Sequence, residues 1–370
     1  MEAELDQVDG RPIIGPERRL ECLIAPISGL ATMNRTAPIS VPAIRCLINN
    51  IREEASIVTE KTRLKEIWSR LKSGNSNLQH LGLRMIDERF DLRGTSVPRI
   101  TLGPSEPIGV GKAEARKVKG ALQIVGARWN GLDFRGSDLR SLRVFDSVFS
   151  NCVFDFCECS DWRLWGVKMD RCSFVGANLH DSALGPVFQG KCNTYEESNF
   201  DKATLTGTSF QTAEFSGCTF RVTNLDRVNF QGSVFSDCVF EGGLRGTMFY
   251  DRGYGTVVDA MPANEMRNVN FARAALRWVA FRNLDLLQVE WPDDGEHLLV
   301  PNYRRTMRRL VEVFRQRSDS ASRQFVAVFE DLLKWAGAHQ EQGVLNKLDL
   351  KEMGGEAGMM EVVHLVGQKH

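Results

Sequence analysis

From Ile124 onward an apolar side chain recurs at nearly every fifth position, through Trp129, Phe134, Leu139, Val144, Phe149, Phe154, Cys159, Leu164, Met169, Phe174 and Leu179 to Leu184. The phase then slips. The series resumes from Phe200 through Phe210 and Phe220 to Phe240, and again from Met266 through Phe271, Leu276 and Phe281 to Trp291, giving twenty-eight units. Two residues before each centre lies a second regular position, mostly small: Ala127, Ser137, Ser147, Cys152 and Cys157, later Ser198, Ala203, Thr208, Ala213, Cys218 and Thr223. The remaining three positions are rich in Asp, Asn, Arg, Ser, Gln and Gly. A helix repeats at 3.6 residues and a two-sided strand at 2, so neither explains a period of five. A coil that turns a corner once per unit does. It points the centre and the small position inward and leaves the other three in water, each coil burying its core against its neighbours.

Units such as Gly176-Ala177-Asn178-Leu179-His180 and Gly136-Ser137-Asp138-Leu139-Arg140 resemble the pentapeptide-repeat family, whose pattern is A-(D/N)-(L/F)-x-x. The resemblance covers about residues 119–291. It implies a mainly β fold, a right-handed quadrilateral β-helix with four units per coil, so that residues twenty apart stack. Cys152 then lies under Cys172 and Cys218 under Cys238 as buried core thiols. Phe134, Phe154 and Phe174 form one interior stack, and Phe200, Phe220 and Phe240 another. The resemblance also implies dimerisation through one end of the rod. Family members that protect gyrase add the reading of a DNA mimic that binds DNA gyrase or another type II topoisomerase. Mimicry calls for a strongly negative rod, whereas residues 120–250 hold 15 acids against 12 bases.

Residues 185–197 and 241–265 break the rhythm and are expected as a kink or outward loops on the solenoid, insertions of the kind that in repeat proteins often sit on a binding face. Phe145 and Trp165 each follow a centre by one residue and are twenty apart. They are expected to stack outside one face, as a candidate partner-binding pair. Trp162 occupies a small inward slot and needs a bulge or a small neighbour opposite.

Residues 1–118 do not repeat and are expected as an N-terminal helical and irregular cap, since an open β-helix end exposes unpaired backbone. Helices are predicted over 41–54, 57–73 and 77–88, with a Pro- and Gly-rich linker at 95–111. Residues 292–340 are predicted to form a C-terminal helical hairpin, broken at Ser318-Asp319-Ser320. Residues 341–370, with Gly354, Gly355 and Gly358, read as a poorly fixed tail carrying a short helix near 359–366. The first hairpin helix carries Arg304, Arg305, Arg308, Arg309, Arg315 and Arg317 against Glu312 alone, a stripe suited to nucleic acid or an acidic partner.

With 47 basic and 47 acidic side chains, the chain has no global attraction to nucleic acid or to an anionic membrane. The start, MEAELDQVDG, lacks the positive and apolar regions of a secretory leader. Nine cysteines, an odd number, favour free thiols and a cytoplasmic setting. The Cys152, Cys157, Cys159 and Cys172 cluster lacks paired zinc spacing. Gly109-Val110-Gly111-Lys112 lacks the outer Gly and following Ser or Thr of a phosphate loop. No histidine pair has metal spacing and no G-x-S-x-G elbow occurs. The expectation is a non-enzymatic protein-interaction scaffold without cofactor, its candidate contacts being Phe145, Trp165, Arg304, Arg305, Arg308 and Arg309.

Overall fold

The computed structural model describes residues 61–73, 78–98, 121–251, 264, 266–338 and 340–368. The expected helix at 41–54 and the Gly109–Lys112 run lie outside the described residues. The chain is rich in short strands, with helices at both flanks of the repeat. The repeat strands pair in parallel along four ladders, in register across a step of mostly twenty residues that lengthens where the repeat is interrupted, as from Ala183 to Ser209. One ladder runs Gln123–Val125, Arg143–Phe145, Arg163–Trp165 and continues through Ala183 and Ser209 to Asn229–Gln231. The next runs Arg128–Asn130, Val148–Ser150, Lys168–Asp170 and on to Val234–Ser236. The third links Leu132–Asp133 through Val153, Ser173 and Asn199 to Thr219–Arg221. The fourth is a row of single bridges through Asp138, Glu158, Asn178, Thr204 and Asn224.

Local chemistry makes each corner. The second residue after a centre adopts positive φ, as at Asp146, Asn151, Asp161 and Asp237. Asp, Asn and Gly suit that conformation best. Asn199, Asn224 and Asn229 each precede a centre and accept the N–H two residues on. This Asx turn explains the Asp or Asn of the repeat.

Inside, the centres stack in columns. Phe134, Phe154, Phe174, Phe200, Phe220, Phe240, Phe271 and Trp291 form one continuous column, with ring centroids 4.7 to 5.8 Å apart. The two phenylalanine stacks read from the sequence are therefore one, joined where Phe174 meets Phe200 at 5.1 Å. The small slot is buried and often polar for a reason. Its hydroxyl or thiol donates to a carbonyl of the preceding coil: Thr223 to Phe200, Ser233 to Phe210, Cys157 to Phe134 and Cys218 to Tyr195. Trp162 fills such a slot by the same rule, its indole N–H donating to the Leu139 carbonyl at 2.6 Å while its ring stands edge-on to Phe154.

The repeat is longer than its periodicity suggests. Phe90 and Asp91 pair with Leu132 and Asp133, and Ser96 bridges Asp138, so the ladders begin near residue 89 rather than 119. Tyr195 is fully buried and pairs with Met169 and Phe215, which trims the first loop at its end. Leu244 and Phe249 are fully buried too, and their strands pair with neighbouring coils. Much of 241–265 is thus solenoid, while residues 252–263 lie outside the described residues.

Helix α1 (Lys61–Lys72) covers the first coil with Ile67, Trp68 and Leu71. Trp68 donates to the Ser96 carbonyl, and Trp129 to that of Leu71. The helix expected over 77–88 is instead one 3-10 turn, Gln79–Leu81, followed by a tight hairpin. Asp87 and Glu88, both at positive φ, make its two-residue turn.

After Trp291, α2 (Tyr303–Arg315) and α3 (Ser320–Trp335) form the expected hairpin, with Asp319 capping α3 by accepting from Ser322 N–H at 2.9 Å. The expected tail is ordered instead. Gln342–Asn346 pairs antiparallel with His297–Pro301, and α4 (Lys347–Gly367) follows, kinked at Gly355. Gly354 and Gly358 are part of the packing: a Cβ at either would sit within 3 Å of the buried Phe325 ring. No helix among the described residues is long and apolar enough to cross a membrane.

Candidate interaction surfaces

Phe145 and Trp165 stack as expected, centroids 4.5 Å apart and planes within 3°. They lie in register on one ladder, outside the core. Two further residues join them. Val125 pairs in register with Phe145 and is 46% exposed. Phe188 comes from the first interruption, where Phe188 and Lys191 bridge across the turn Gln189-Gly190. This hairpin folds back on the ladder. Phe188 stands edge-on to Phe145 at 5.6 Å, and Lys191 pairs with Asp146 at 2.6 Å. The Lys191 ammonium holds the Asp146 carboxyl below its usual range. Phe145 is consequently buried beneath the hairpin, whereas Trp165 and Phe188 are half-buried and Val125 is open. The sequence held the signal for Val125, which lies twenty residues before Phe145. It held none for Phe188, whose place depends on how the insertion folds.

The arginine stripe on α2 is largely committed within the chain. Arg304 donates to the Ala336 carbonyl, Arg309 to the Gln368 side chain, Arg315 pairs with Glu330 and Arg317 with Glu361. Arg305 and Arg308 are exposed and make no ion pair or hydrogen bond among the described residues. Arg308 edges an open groove of about 330 Å³ that also holds Glu312, Arg315, Glu330 and Lys334. Charge of both signs lines it, so it offers no uniform phosphate cradle.

Several carboxylates of the solenoid are likewise paired, the buried Asp133 among them. Asp133 holds Arg135, Asp161 holds both Arg143 and Arg163, Glu196 holds Lys168, and Arg221 lies between Asp201 and Glu241. These pairs dilute the negative face that nucleic-acid mimicry needs. Asp155 differs. Burial raises its carboxyl to about 6, against hydrogen bonds from Ser173 and the Val175 N–H that pull it down.

A profile described as pentapeptide repeats matches residues 203–242 in eight copies. Three solved structures are similar to this chain in part. HetL, a pentapeptide repeat protein involved in heterocyst differentiation regulation from the cyanobacterium Nostoc, is 20% identical over 46% of this chain and 86% of its own, with a TM-score of 0.19. A trypsin-treated form of QnrB1, a plasmid-mediated fluoroquinolone resistance protein, is 16% identical over 54% and 86%, with a TM-score of 0.22. The pentapeptide repeat protein Rfr23 from the cyanobacterium Cyanothece is 11% identical over 46% and 90%, with a TM-score of 0.15. Superpositions this loose carry no weight for function. No curated protein matches the chain.

Proposed function

We propose that this chain, whose coils are pentapeptide repeats, is a non-enzymatic protein-interaction scaffold of the cytoplasm. In this reading the four ladders are the faces of a right-handed quadrilateral β-helix, capped by α1 and by the helices after Trp291. The rigid coils hold the Val125, Phe145, Trp165 and Phe188 stripe as a contact surface for a protein partner. The observation that carries the reading is that this aromatic stack lies outside the core, with Trp165 half-buried and Val125 exposed. Apolar groups grouped in this way on a repeat face mark contact sites more often than scattered ones do. Arg305 and Arg308 give the same molecule a cationic edge for an acidic portion of a partner.

A photo-crosslinking residue placed at Val125, with a second on the opposite side at Lys202, tests this in the native host. The expected result is a partner captured from position 125 only. Its capture falls with Trp165→Ala while the melting temperature stays within about 3 °C of the parent, a shift that corresponds to about 1 kcal/mol. Equal capture from both positions, or capture indifferent to Trp165, contradicts the reading. Replacing Arg305 and Arg308 by Gln should leave capture intact but flatten its salt dependence.

A further inference from the structure

The last coil and the C-terminal helices leave a cavity of about 140 Å³ between them. Leu276 and Phe281 form its solenoid wall, Phe329 and Leu332 of α3 a second, and Val344 and Met353 a third. The polar groups around it are nearly all engaged. His297 Nε2 accepts the Leu276 N–H at 3.0 Å, and its Nδ1 faces Asp294. The Asn346 side chain caps α4, and Asp349 takes Arg277 and the Trp278 N–H. Two groups are exceptions: the Tyr303 hydroxyl, which makes no hydrogen bond among the described residues, and Gln340. Gln340 is 2% exposed, lines the cavity, and neither its carboxamide nitrogen nor its oxygen has a hydrogen-bond partner among the described residues.

A buried amide left unpaired opposes folding, and native chains seldom keep one without a ligand or an ordered water to satisfy it. The space exceeds one water, whose share of liquid volume is about 30 Å³, and a further water would meet mostly hydrocarbon walls that offer it no partner. An apolar cavity of about 150 Å³ accepts a benzene-sized molecule. The carboxamide presents a donor and an acceptor side by side, so its complement is another edge of that kind. Arg277 and Arg282, next in sequence to the lining residues Leu276 and Phe281, are already paired with Asp349, Glu352 and Asp331, so neither is a free counter-ion for a charged guest. We propose that this cavity binds an uncharged, planar, single-ring molecule bearing an amide- or lactam-type edge, which pairs with Gln340 between the last coil and α3. Occupancy would brace the junction of solenoid and helices.

The probes are benzamide, which carries the edge, and toluene, which has a similar shape without it. Binding to the full chain is followed by calorimetry and by the rise in melting temperature. Benzamide is expected to bind at least about tenfold more tightly than toluene, because a site with a polar group to satisfy discriminates against the analogue that lacks the edge. Gln340→Met should remove that preference, and Val344→Phe should abolish binding of both by filling the space. If Gln340→Met does not fold, the wild-type ratio of the two probes decides the matter. Three results would each overturn the proposal: no binding of benzamide at millimolar concentration, equal binding of the two probes to the wild type, or a crystal structure soaked in benzamide with ordered water alone on Gln340.

Discussion

Phe220→Ala probes the interior column at its middle. The Phe220 ring is fully buried between Phe200 at 5.0 Å and Phe240 at 4.7 Å, with planes within 4° and 2°, while Phe215 and Phe230 meet it edge-on. Removing it forfeits a transfer term of about 1.5–3 kcal/mol. Beyond the edge-on contacts, it removes the two stacked ones, worth about 0.5–1.5 kcal/mol each beyond burial. The coils above and below are pinned by backbone ladders on every side, so the hole closes only partly. A loss of about 3–5 kcal/mol is therefore expected. Stability in a stacked repeat is roughly a sum of nearest-neighbour terms, so the damage should be local. Urea unfolding gives the total, and hydrogen exchange gives its place. Amides of residues 200–240 should exchange faster, while those of α2 and α3 keep their protection. Phe220→Leu should lose less than half as much. A total loss under about 1 kcal/mol, the ordinary effect of an indifferent substitution, would refute the idea that this ring joins three coils.

Gly354→Ala decides whether α4 is packed or loose. Its Cβ would lie 2.2 Å from the buried Phe325 ring, so a loss of about 1–3 kcal/mol is expected from overpacking. In an unobstructed helix the same change gains about 1 kcal/mol, so a more stable variant in thermal unfolding would contradict the packing. For Asp155, burial raises the folded carboxyl from 3.8 to about 6, so the folded chain holds this proton more tightly than the unfolded chain does. Its contribution is fully present at pH below 3.8 and is lost as pH rises through about 6. The melting temperature of Asp155→Asn minus that of wild type should therefore climb between pH 4 and 7, and a flat difference would show the carboxyl to be open to water. Thr223→Val leaves the Phe200 carbonyl without its hydroxyl donor, and urea unfolding should show a loss of about 1–2 kcal/mol. A neutral result would mean that the polar small slot has no bonding role.

The repeat was legible because its signal is collective. Twenty-eight centres at one spacing leave little room for another period, and the small slot two residues earlier confirms which side faces in. Short or displaced pieces escaped. Leu92 and Val97 are five apart and belong to the ladders, but two units form no series. Leu244 follows Phe240 by four residues, and that single deletion hid both it and Phe249 among glycines. Tyr195 was lost because the insertion before it shifts the phase. The stretch 77–88 carries apolar spacing that suits a helix, yet the turn at Asp87-Glu88 and pairing with the first coil prevailed. The C-terminal glycines look like flexibility from sequence alone, and only the position of Phe325 shows why two of them are small. Of the candidate contacts, the Phe145–Trp165 stack follows from the twenty-residue step. The engagement of Arg304 and Arg309 depends on Ala336 and Gln368, partners too distant in sequence to foresee.

The stacking of coils across the first insertion is the premise beneath the scaffold, its contact stripe and its capped ends. It can be measured as a single distance. Nitroxide labels on genetically encoded ketone residues at Arg140 and Asp226 leave the native thiols alone and sit at corresponding corners, linked through Ser160, His180 and Thr206 by successive backbone hydrogen bonds. Four coil steps at about 4.8 Å place those corners about 19 Å apart. A narrow distribution near that value is the expected result. A broad distribution, or one centred beyond about 30 Å, a separation no four steps of that spacing can give, would contradict it.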